Sequence, residues 1–309
     1  MDDNYVLTRS WDFREKITSL YHVLNSDKLA FISSIFLITV GAIALFGHHF
    51  AAEPATKMNL SMRNYEPFTL DHGWLFYLGA DSLGRSMIAR LVIACQKTIL
   101  IASCSVLISM TTGGVLGLVS GFYGGKIGNI IMRIADVIMS FPSLLLAVVV
   151  LYIFEPSIMS LIIVLALTRL PVYMRTARAE VLEIKERLFV SAAITMGATK
   201  RRIIFRHIAP LVYPTLITIA TLDFAFVMLG ESALSFLGIG IQPPEMTWGL
   251  MVAQGRNYLQ SAWWLAFFPG MMIMLVTLSL NLLSSWLRIL LDPVQNWRLK
   301  TSRKLDGKK

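Results

Sequence analysis

The sequence predicts an all-α membrane protein with about six transmembrane helices. Hydrophobic residues make up 55% of the 309-residue chain and charged residues only 15%, whereas a soluble domain carries roughly 25% charged residues. The mean hydropathy is +0.63. The apolar residues are gathered into runs of about 20 residues, which is the length a helix needs to cross a bilayer. Contact with membrane lipid is therefore expected along most of the chain.

Six apolar segments are the predicted transmembrane helices. They contain no Asp, Glu, Lys or Arg apart from Arg169, near the end of the fourth segment, and Asp223, in the fifth. Only Glu155 and Pro156 separate the third segment from the fourth, so these two are expected to form a tight hairpin. The predicted spans are residues 29–46, 99–119, 137–154, 157–174, 208–229 and 263–287.

The distribution of Lys and Arg predicts the orientation of these spans. Of the 28 basic residues, 21 lie in the N-terminal segment 1–28, the loops 121–133 and 175–207, and the chain from Arg288 onward. Six spans place these pieces on one side, and cytoplasmic loops carry such an excess. A membrane domain of residues 29–291 is thus expected between a cytoplasmic N-terminal segment and a basic cytoplasmic tail, 292–309. Because the net charge of +9 follows this topology, no nucleic-acid partner is expected.

Small and charged residues within or beside the spans are candidates for specific contacts. Gly113, Gly117 and Gly121 follow at four-residue spacing, which lets another helix approach closely. That helix belongs either to this chain or to a partner subunit. An acidic group at membrane depth should face protein or water. Asp223 and Glu231 are therefore candidates for a transport pathway or a subunit interface, and Asp223 could meet either a partner subunit or an amine of a solute.

The loop 175–207 has the strongest pattern outside the spans. Its apolar residues are spaced by seven, four and three positions and so share one helical stripe: Leu182, Phe189, Ala193 and Met196. Glu183 and Arg187 form an i, i+4 pair. Gly197 then interrupts the stripe before a second basic stretch, which predicts a helix, a glycine turn and a helix. The pattern is typical both of a helix lying in lipid headgroups and of a docking element for a cytoplasmic partner.

Nothing in the sequence predicts catalysis. The histidines lie apart from any cysteine or carboxylate cluster, and no phosphate-binding G-x-x-x-x-G-K-[ST] segment is present. The glycine-rich stretch 121–125 lacks the lysine and hydroxyl of such a segment. We therefore expect no catalytic residue, no metal site and no cofactor bound by this chain.

The loop also resembles a family motif. Ser191-Ala192-Ala193, Gly197 after three residues, and 207–210 after nine more are similar to the Glu-Ala-Ala, Gly, Ile-x-Leu-Pro loop of ABC-importer permeases. Other blocks resemble the C-type permease subunit of dipeptide, oligopeptide and nickel importers, and the resemblance runs from the first span to Asp292-Pro293. These blocks are residues 79–86, 121–142, 234–249 and 262–270. The chain departs from the family pattern at Ser191, Ala209 and 284–286.

The resemblance implies a bacterial inner-membrane permease that works with separate partners. These are a second homologous permease subunit, two ATPase subunits that bind ATP and Mg, and a periplasmic or lipid-anchored substrate-binding protein. The residues implied in ATPase coupling are Ser191, Ala192, Ala193, Gly197, His207 and Pro210. Dipeptides or oligopeptides are the implied substrates, with nickel chelates, glutathione and opine-like solutes as alternatives.

Two other classes of membrane protein fit the residues less well. An ion-driven secondary transporter favours inverted repeats and several intramembrane carboxylates, whereas no clear repeat is visible and Asp223 alone lies deep in a span. A membrane enzyme should have clustered His, Asp or Cys at membrane depth, and no such cluster is visible.

The orientation can be tested with single cysteines introduced by Lys57→Cys and Lys200→Cys, after the native Cys95 and Cys104 are replaced by alanine. An impermeant thiol reagent added to intact cells should label the cysteine at 57, because the loop 47–98 is expected outside. The cysteine at 200 should react only after the membrane is permeabilised. Equal labelling of both in intact cells would contradict the six-span topology.

Overall fold

The computed structural model describes residues 27–154 and 157–291, with side chains through residue 287. The predicted N-terminal segment before residue 27, the connection at Glu155-Pro156 and the basic tail from 292 lie outside these described residues. Within them the chain is helical and contains no strand. The helices are α1 Lys28–Thr56, α2 Met87–Tyr123, α3 Gly125–Met139, α4 Ser143–Ile153, α5 Ile158–Ile184, α6 Leu188–Thr195, α7 Lys200–Phe236, α8 Trp248–Gly255 and α9 Trp264–Leu291.

The fold class is as predicted. Five helices, α1, α2, α5, α7 and α9, are long and apolar enough to cross a membrane, and the pair α3–α4 makes a sixth crossing if it is one bent span. The long helices extend beyond the predicted apolar segments. α2 has 37 residues, which is about 55 Å at 1.5 Å per residue, so its ends project beyond a hydrocarbon core of about 30 Å.

The third predicted span, 137–154, differs from a single continuous helix. α3 ends at Met139, α4 begins at Ser143, and the two helices meet at 88°. Pro142 lies at this break, and the residue before a proline is disfavoured in helical conformation. The 11 residues of α4 reach about 16 Å, which is roughly half of the hydrocarbon core. Hydropathy does not report this bend, but Pro142 itself is a sequence signal for it, because a proline lacks a backbone N–H and kinks or ends a helix.

The glycine face of α2 packs against α5 of the same chain. A Cβ atom added at Gly113, Gly117 or Gly121 would lie 2.8, 2.5 and 2.7 Å from side-chain atoms of Tyr173, Ala177 and Val181, respectively. Both sets of residues follow four-residue spacing, so they form two facing ridges. Above them, hydroxyls of α2 donate to backbone carbonyls of α5, Ser105 to Ile162 at 3.2 Å and Ser109 to Ala166 at 3.0 Å.

The connections between helices gather at the two ends of α2. Near its start, the indoles of Trp248 and Trp264 donate to the carbonyls of Leu91 and Ala80 at 3.0 and 3.1 Å. The loop 57–86 and the connection 237–263 therefore lie together. Near its end, Arg178 donates to the Ser120 hydroxyl at 2.9 Å and to a backbone carbonyl of α3 at 2.8 Å. The two groups of connections are those that the Lys and Arg distribution assigns to opposite sides.

Substitution of Gly117 tests the contact between α2 and α5. Gly117→Leu should lower the free energy of unfolding by about 1–3 kcal/mol, because the new side chain must displace backbone and side-chain atoms of α5. The melting temperature in detergent can be followed with a dye that reacts with the buried thiol of Cys95 when the protein unfolds. Gly41→Leu is the control, since a Cβ at Gly41 has nothing within 4 Å. Equal melting temperatures for both variants would contradict the tight packing at Gly117.

Candidate functional site

The segment between α5 and α7 differs in one respect from its sequence pattern. α5 continues to Ile184, so Leu182 belongs to the long helix, whereas Phe189 and Ala193 lie on the separate helix α6 and Met196 caps it. The prediction that all four residues share one helix is therefore wrong for Leu182. The pair of Glu183 and Arg187 is confirmed at 2.8 Å, but it bridges the end of α5 and the start of α6.

The predicted glycine turn is present at the end of α6. Gly197 has φ +79, which a residue with a Cβ adopts only at a cost. Its N–H donates to the Ile194 carbonyl at 2.9 Å, and the N–H of Ala198 donates to the Ala193 carbonyl at 3.0 Å. These two bonds form a Schellman motif, which satisfies the last carbonyls of the helix. A Cβ at Gly197 would have no atom within 4 Å, so the backbone conformation alone selects glycine there.

α6 rests on the long helices through one face and exposes the other. Val190 is buried in a cluster with Leu118 of α2, Val181 and Ile184 of α5, and Ile203, Ile204 and Ile208 of α7, and Ala193 packs against this cluster. On the outer face Leu188 and Met196 are 88% and 86% exposed. The small residues Ser191 and Ala192 are exposed between them. The result is a short apolar projection with a firmly packed base.

His207 and Pro210 follow this projection on α7. His207 is half-buried in the π-helical turn Ile203–Ile208, and Pro210 is exposed just after it. The proline has no N–H for the helix ladder, and a π turn is a common irregularity at functional positions of helices. These two residues lie on α7 rather than on α6, so they belong to the base of the projection.

A second group of functional residues lies within the spans. The Arg169 guanidinium on α5 donates through Nη2 to Oδ1 of Asp223 on α7. Asp223 is 1% exposed, and the cation that contacts it belongs to its own chain. Sequence analysis missed this pair, although a signal was present: Arg169 and Asp223 are the only charged residues in the six predicted spans.

Glu231 lies elsewhere on α7. It is 1% exposed and accepts hydrogen bonds from the hydroxyls of Ser235 at 2.8 Å and Thr247 at 2.7 Å. Thr247 is the N-cap of α8, where its hydroxyl accepts from Leu250 N at 3.2 Å. Glu231 therefore ties α7 to α8 inside this chain and shares no partner with Asp223.

An ion-pair cluster beside the start of α2 was not predicted, although Asp81 and Arg85 lie in the family-like block 79–86. Asp81 accepts from the backbone N–H groups of Leu83 and Arg85 at 2.9 and 2.8 Å, and from the guanidinium groups of Arg85 and Arg90. Arg90 also donates to the side-chain oxygen of Gln254 on α8 at 3.0 Å. The cluster fastens the loop 57–86 to α2 and α8.

No metal centre accompanies these features. Among residues 27–154 and 157–291, no group of three or more His, Cys, Asp or Glu is placed to hold a metal ion. The candidate site thus consists of the apolar projection of α6 and the charge pair of Arg169 and Asp223, joined by α5 and α7.

Comparison with known proteins assigns a family to this architecture. Residues 113–295 match the family described as binding-protein-dependent transport system inner membrane component. The chain is 37% identical over 260 residues to the di/tripeptide transport system permease protein DppC of Pseudomonas aeruginosa, covering 84% of this chain and 86% of the relative. It is 34% identical over 292 residues to the dipeptide transport system permease protein DppC of Alkalihalophilus pseudofirmus, covering 94% and 92%.

Two further comparisons bear on substrate and fold. The glutathione transport system permease protein GsiD of Pectobacterium atrosepticum is 36% identical over 217 residues, covering 70% of this chain and 72% of the relative. An inward-facing structure of the MetNI methionine ABC transporter matches with a TM-score of 0.55 and 17% identity, covering 67% of this chain and 98% of that chain. At this identity the match shows a shared fold.

A double-mutant cycle tests whether Arg169 and Asp223 depend on each other. Arg169→Gln should lower the free energy of unfolding by about 3 kcal/mol, because it leaves a buried carboxylate without its cation. Asp223→Asn should cost less, since the Arg169 side chain is 26% exposed and reaches water. The double variant should be more stable than the sum of the single effects predicts, as measured by chemical or thermal unfolding in detergent.

The exposed pair of Glu183 and Arg187, with side chains 72% and 53% exposed, is the matched control. Its neutralisation with Glu183→Gln and Arg187→Gln should show a coupling of only about 0.3–0.5 kcal/mol. Strict additivity at Arg169 and Asp223 would show that their contact contributes nothing to the fold.

Proposed function

The chain belongs to the family of binding-protein-dependent transport system inner membrane components, and we propose that it is the permease subunit of an ABC importer for dipeptides or oligopeptides. Relatives named for dipeptide transport cover most of their own length and most of this chain, which supports a peptide substrate. Because one relative is named for glutathione transport, this γ-linked tripeptide is the second candidate substrate. Nickel chelates and opine-like solutes are retained with less support.

The observation that carries the proposal is the apolar projection of α6. A helix that lies in lipid headgroups needs no packed base, whereas Val190 is buried among residues of three long helices. The exposed Ser191 and Ala192 are small enough for a protein groove to close around them. We therefore assign the outer face of α6 to docking in a groove of an ATPase subunit. The turn at Gly197 would direct the chain away from that groove after α6 ends.

Docking at α6 would link ATP-driven movement to the transport pathway. Because core residues are packed at high density, a displaced α6 must move the ends of the helices that contact it. Those helices include α5 and α7, which carry Arg169 and Asp223. This chain would supply no residue to ATP hydrolysis, and ATP and Mg would be held by two ATPase subunits.

The remaining partners complete the importer. A second homologous permease subunit would form the other half of the pathway, and a periplasmic or lipid-anchored binding protein would deliver the substrate to the end formed by 57–86 and 237–263. The chain would lie in the bacterial inner membrane with both termini in the cytoplasm, as the excess of Lys and Arg beside α6 supports. An ion-driven mechanism finds no support in this family.

The docking role can be tested with Gly197→Val and Ala193→Trp in the complete transporter. Each variant should insert and pair with the second permease, while ATP-driven uptake falls to background. Gly197→Val strains the turn after α6, and Ala193→Trp lifts α6 from its base. The ATPase subunits should then co-purify poorly or hydrolyse ATP without transport, whereas Ser191→Glu, which restores the family residue, should be tolerated.

Gly238→Val is the matched control for Gly197→Val. Gly238 also ends a helix with positive φ (+80) and has no atom within 4 Å of an added Cβ, but it lies in the connection at the other end of α2. Its substitution should leave ATPase co-purification intact. Full uptake by both Gly197→Val and Ala193→Trp would refute the docking role of α6.

A further inference from the structure

A half-open cavity of about 320 Å³ lies beside the intramembrane charge pair. Its walls come from α4, α5 and α7, and the lining includes Ser143, Ala147, Leu165, Thr168, Phe226 and Gly230. Small-molecule sites usually occupy cavities of roughly 300–1,000 Å³ with apolar walls and a few polar groups. The cavity has this character, and its cationic group is Arg169.

The hydrogen bonding around Arg169 is incomplete. In the described part of the chain, four buried side-chain polar atoms have no hydrogen-bond partner, and three lie in this cluster: Arg169 Nε, Tyr173 Oη and Asp223 Oδ2. Tyr173 lies one helical turn beyond Arg169 on the same face of α5. The Tyr173 hydroxyl is a neighbour of the Asp223 carboxylate and interacts with it, so Arg169 Nε is the atom of this cluster that most clearly lacks a partner. Buried polar groups are nearly always paired, so this donor calls for a specific explanation.

The geometry separates the two charges of the pair. Asp223 is 1% exposed and does not line the cavity, whereas the Arg169 side chain is 26% exposed and does. The guanidinium lies 5.1 Å from the centre of the Phe226 ring, which favours one orientation of its plane. A solute in the cavity therefore meets a cation with a carboxylate behind it. The sequence had left open a contact between Asp223 and an amine of the solute. The structure instead presents a cation to the cavity, which favours an anionic group of the solute.

We propose that Arg169, backed by Asp223, binds the carboxylate of a peptide as it passes through this subunit, an inference that rests on the peptide importer function proposed above. A guanidinium has five N–H donors in a planar fork, and the contact with Asp223 accounts for Nη2 alone. A second carboxylate can bind at the remaining edge. A carboxylate is also common to peptides with different side chains, so it suits a pathway that must accept many sequences.

Asp223 limits the strength of this contact. A lone guanidinium in a low-dielectric cavity would bind an anion tightly and release it slowly. Because Asp223 already neutralises most of the charge of Arg169, the substrate carboxylate is attracted to the guanidinium less strongly. Conduction requires binding that is strong enough for entry and weak enough for exit. The pair thereby combines recognition with release.

The experiment uses the reconstituted transporter with both permeases, the ATPase subunits and the binding protein. Uptake is compared for a tripeptide with a free C-terminal carboxylate and for its C-terminal amide, each at a concentration that saturates the binding protein. The variant is the double substitution Arg169→Gln with Asp223→Asn, which removes both charges together and leaves neither one buried alone. Its maximal uptake ratio of acid to amide should fall about tenfold below that of the wild type, which corresponds to about 1.4 kcal/mol.

The pair of Lys97 and Glu245 provides the control, since its charged atoms lie 3.1 Å apart away from the cavity. Lys97→Gln with Glu245→Gln should leave the acid-to-amide ratio unchanged. An unchanged ratio in the Arg169 and Asp223 double variant, whether both rates fall or neither does, would refute the carboxylate contact. Failure of the wild-type transporter to take up either peptide would instead refute the peptide function.

Photolabelling of the wild-type transporter provides a test that needs no substitution. A peptide with a diazirine on its C-terminal residue is delivered by the binding protein, and the transporter is trapped before ATP hydrolysis and illuminated. Mass spectrometry should find the label within 143–147, 165–169 or 226–233, the segments around the cavity. Absence of label from all three segments would overturn the proposal, even if the double variant fails to assemble.

Discussion

The close approach of α2 and α5 is the contact on which the rest of the molecule depends. Helices in a bilayer gain little from hydrophobic burial, so their association relies on close van der Waals contact and hydrogen bonds. α2 provides both, because glycines face α5 at one end and the Ser105 and Ser109 hydroxyls donate to α5 carbonyls above them. Once α5 is fixed in this way, the positions of Arg169 in its middle and of α6 beyond its end are fixed as well.

The two buried ion-pair groups have different physical characters. At the start of α2, Asp81 accepts hydrogen bonds from two backbone N–H groups and two arginines, and both of its oxygens have partners. In the pair between α5 and α7, Asp223 is 1% exposed, whereas the side chain of its partner Arg169 is 26% exposed and lines a cavity. A fully satisfied cluster holds its elements in one arrangement, whereas a cation that reaches a cavity can still contact another group. The first therefore suits anchoring of the loop 57–86, and the second suits contact with a solute.

The sequence was sufficient for features that depend on neighbouring residues and insufficient for those that depend on distant ones. Hydropathy located the long helices, and Gly197 correctly predicted a turn. The partner of Asp223 lies 54 positions away, and no local pattern relates the two residues. Pro142 signalled a break in the third span, but hydropathy could not give its angle, because a bent pair and a straight span have the same composition. Leu182 was assigned to the wrong helix since an amphipathic stripe continues across the break between α5 and α6.

A route from α6 to the charge pair follows from the construction of α5. Val181 and Ile184 at its end share the buried cluster of Val190, and Arg169 lies 15 residues before Ile184, which is about 22 Å along a helix. Pro171 lies inside α5, within one turn of Arg169, and removes one donor from the hydrogen-bond ladder there. Bending is easiest where the ladder is incomplete. A displacement at α6 would therefore be carried by the intact segment beyond Pro171 and would change the angle of α5 at the level where Arg169 meets Asp223.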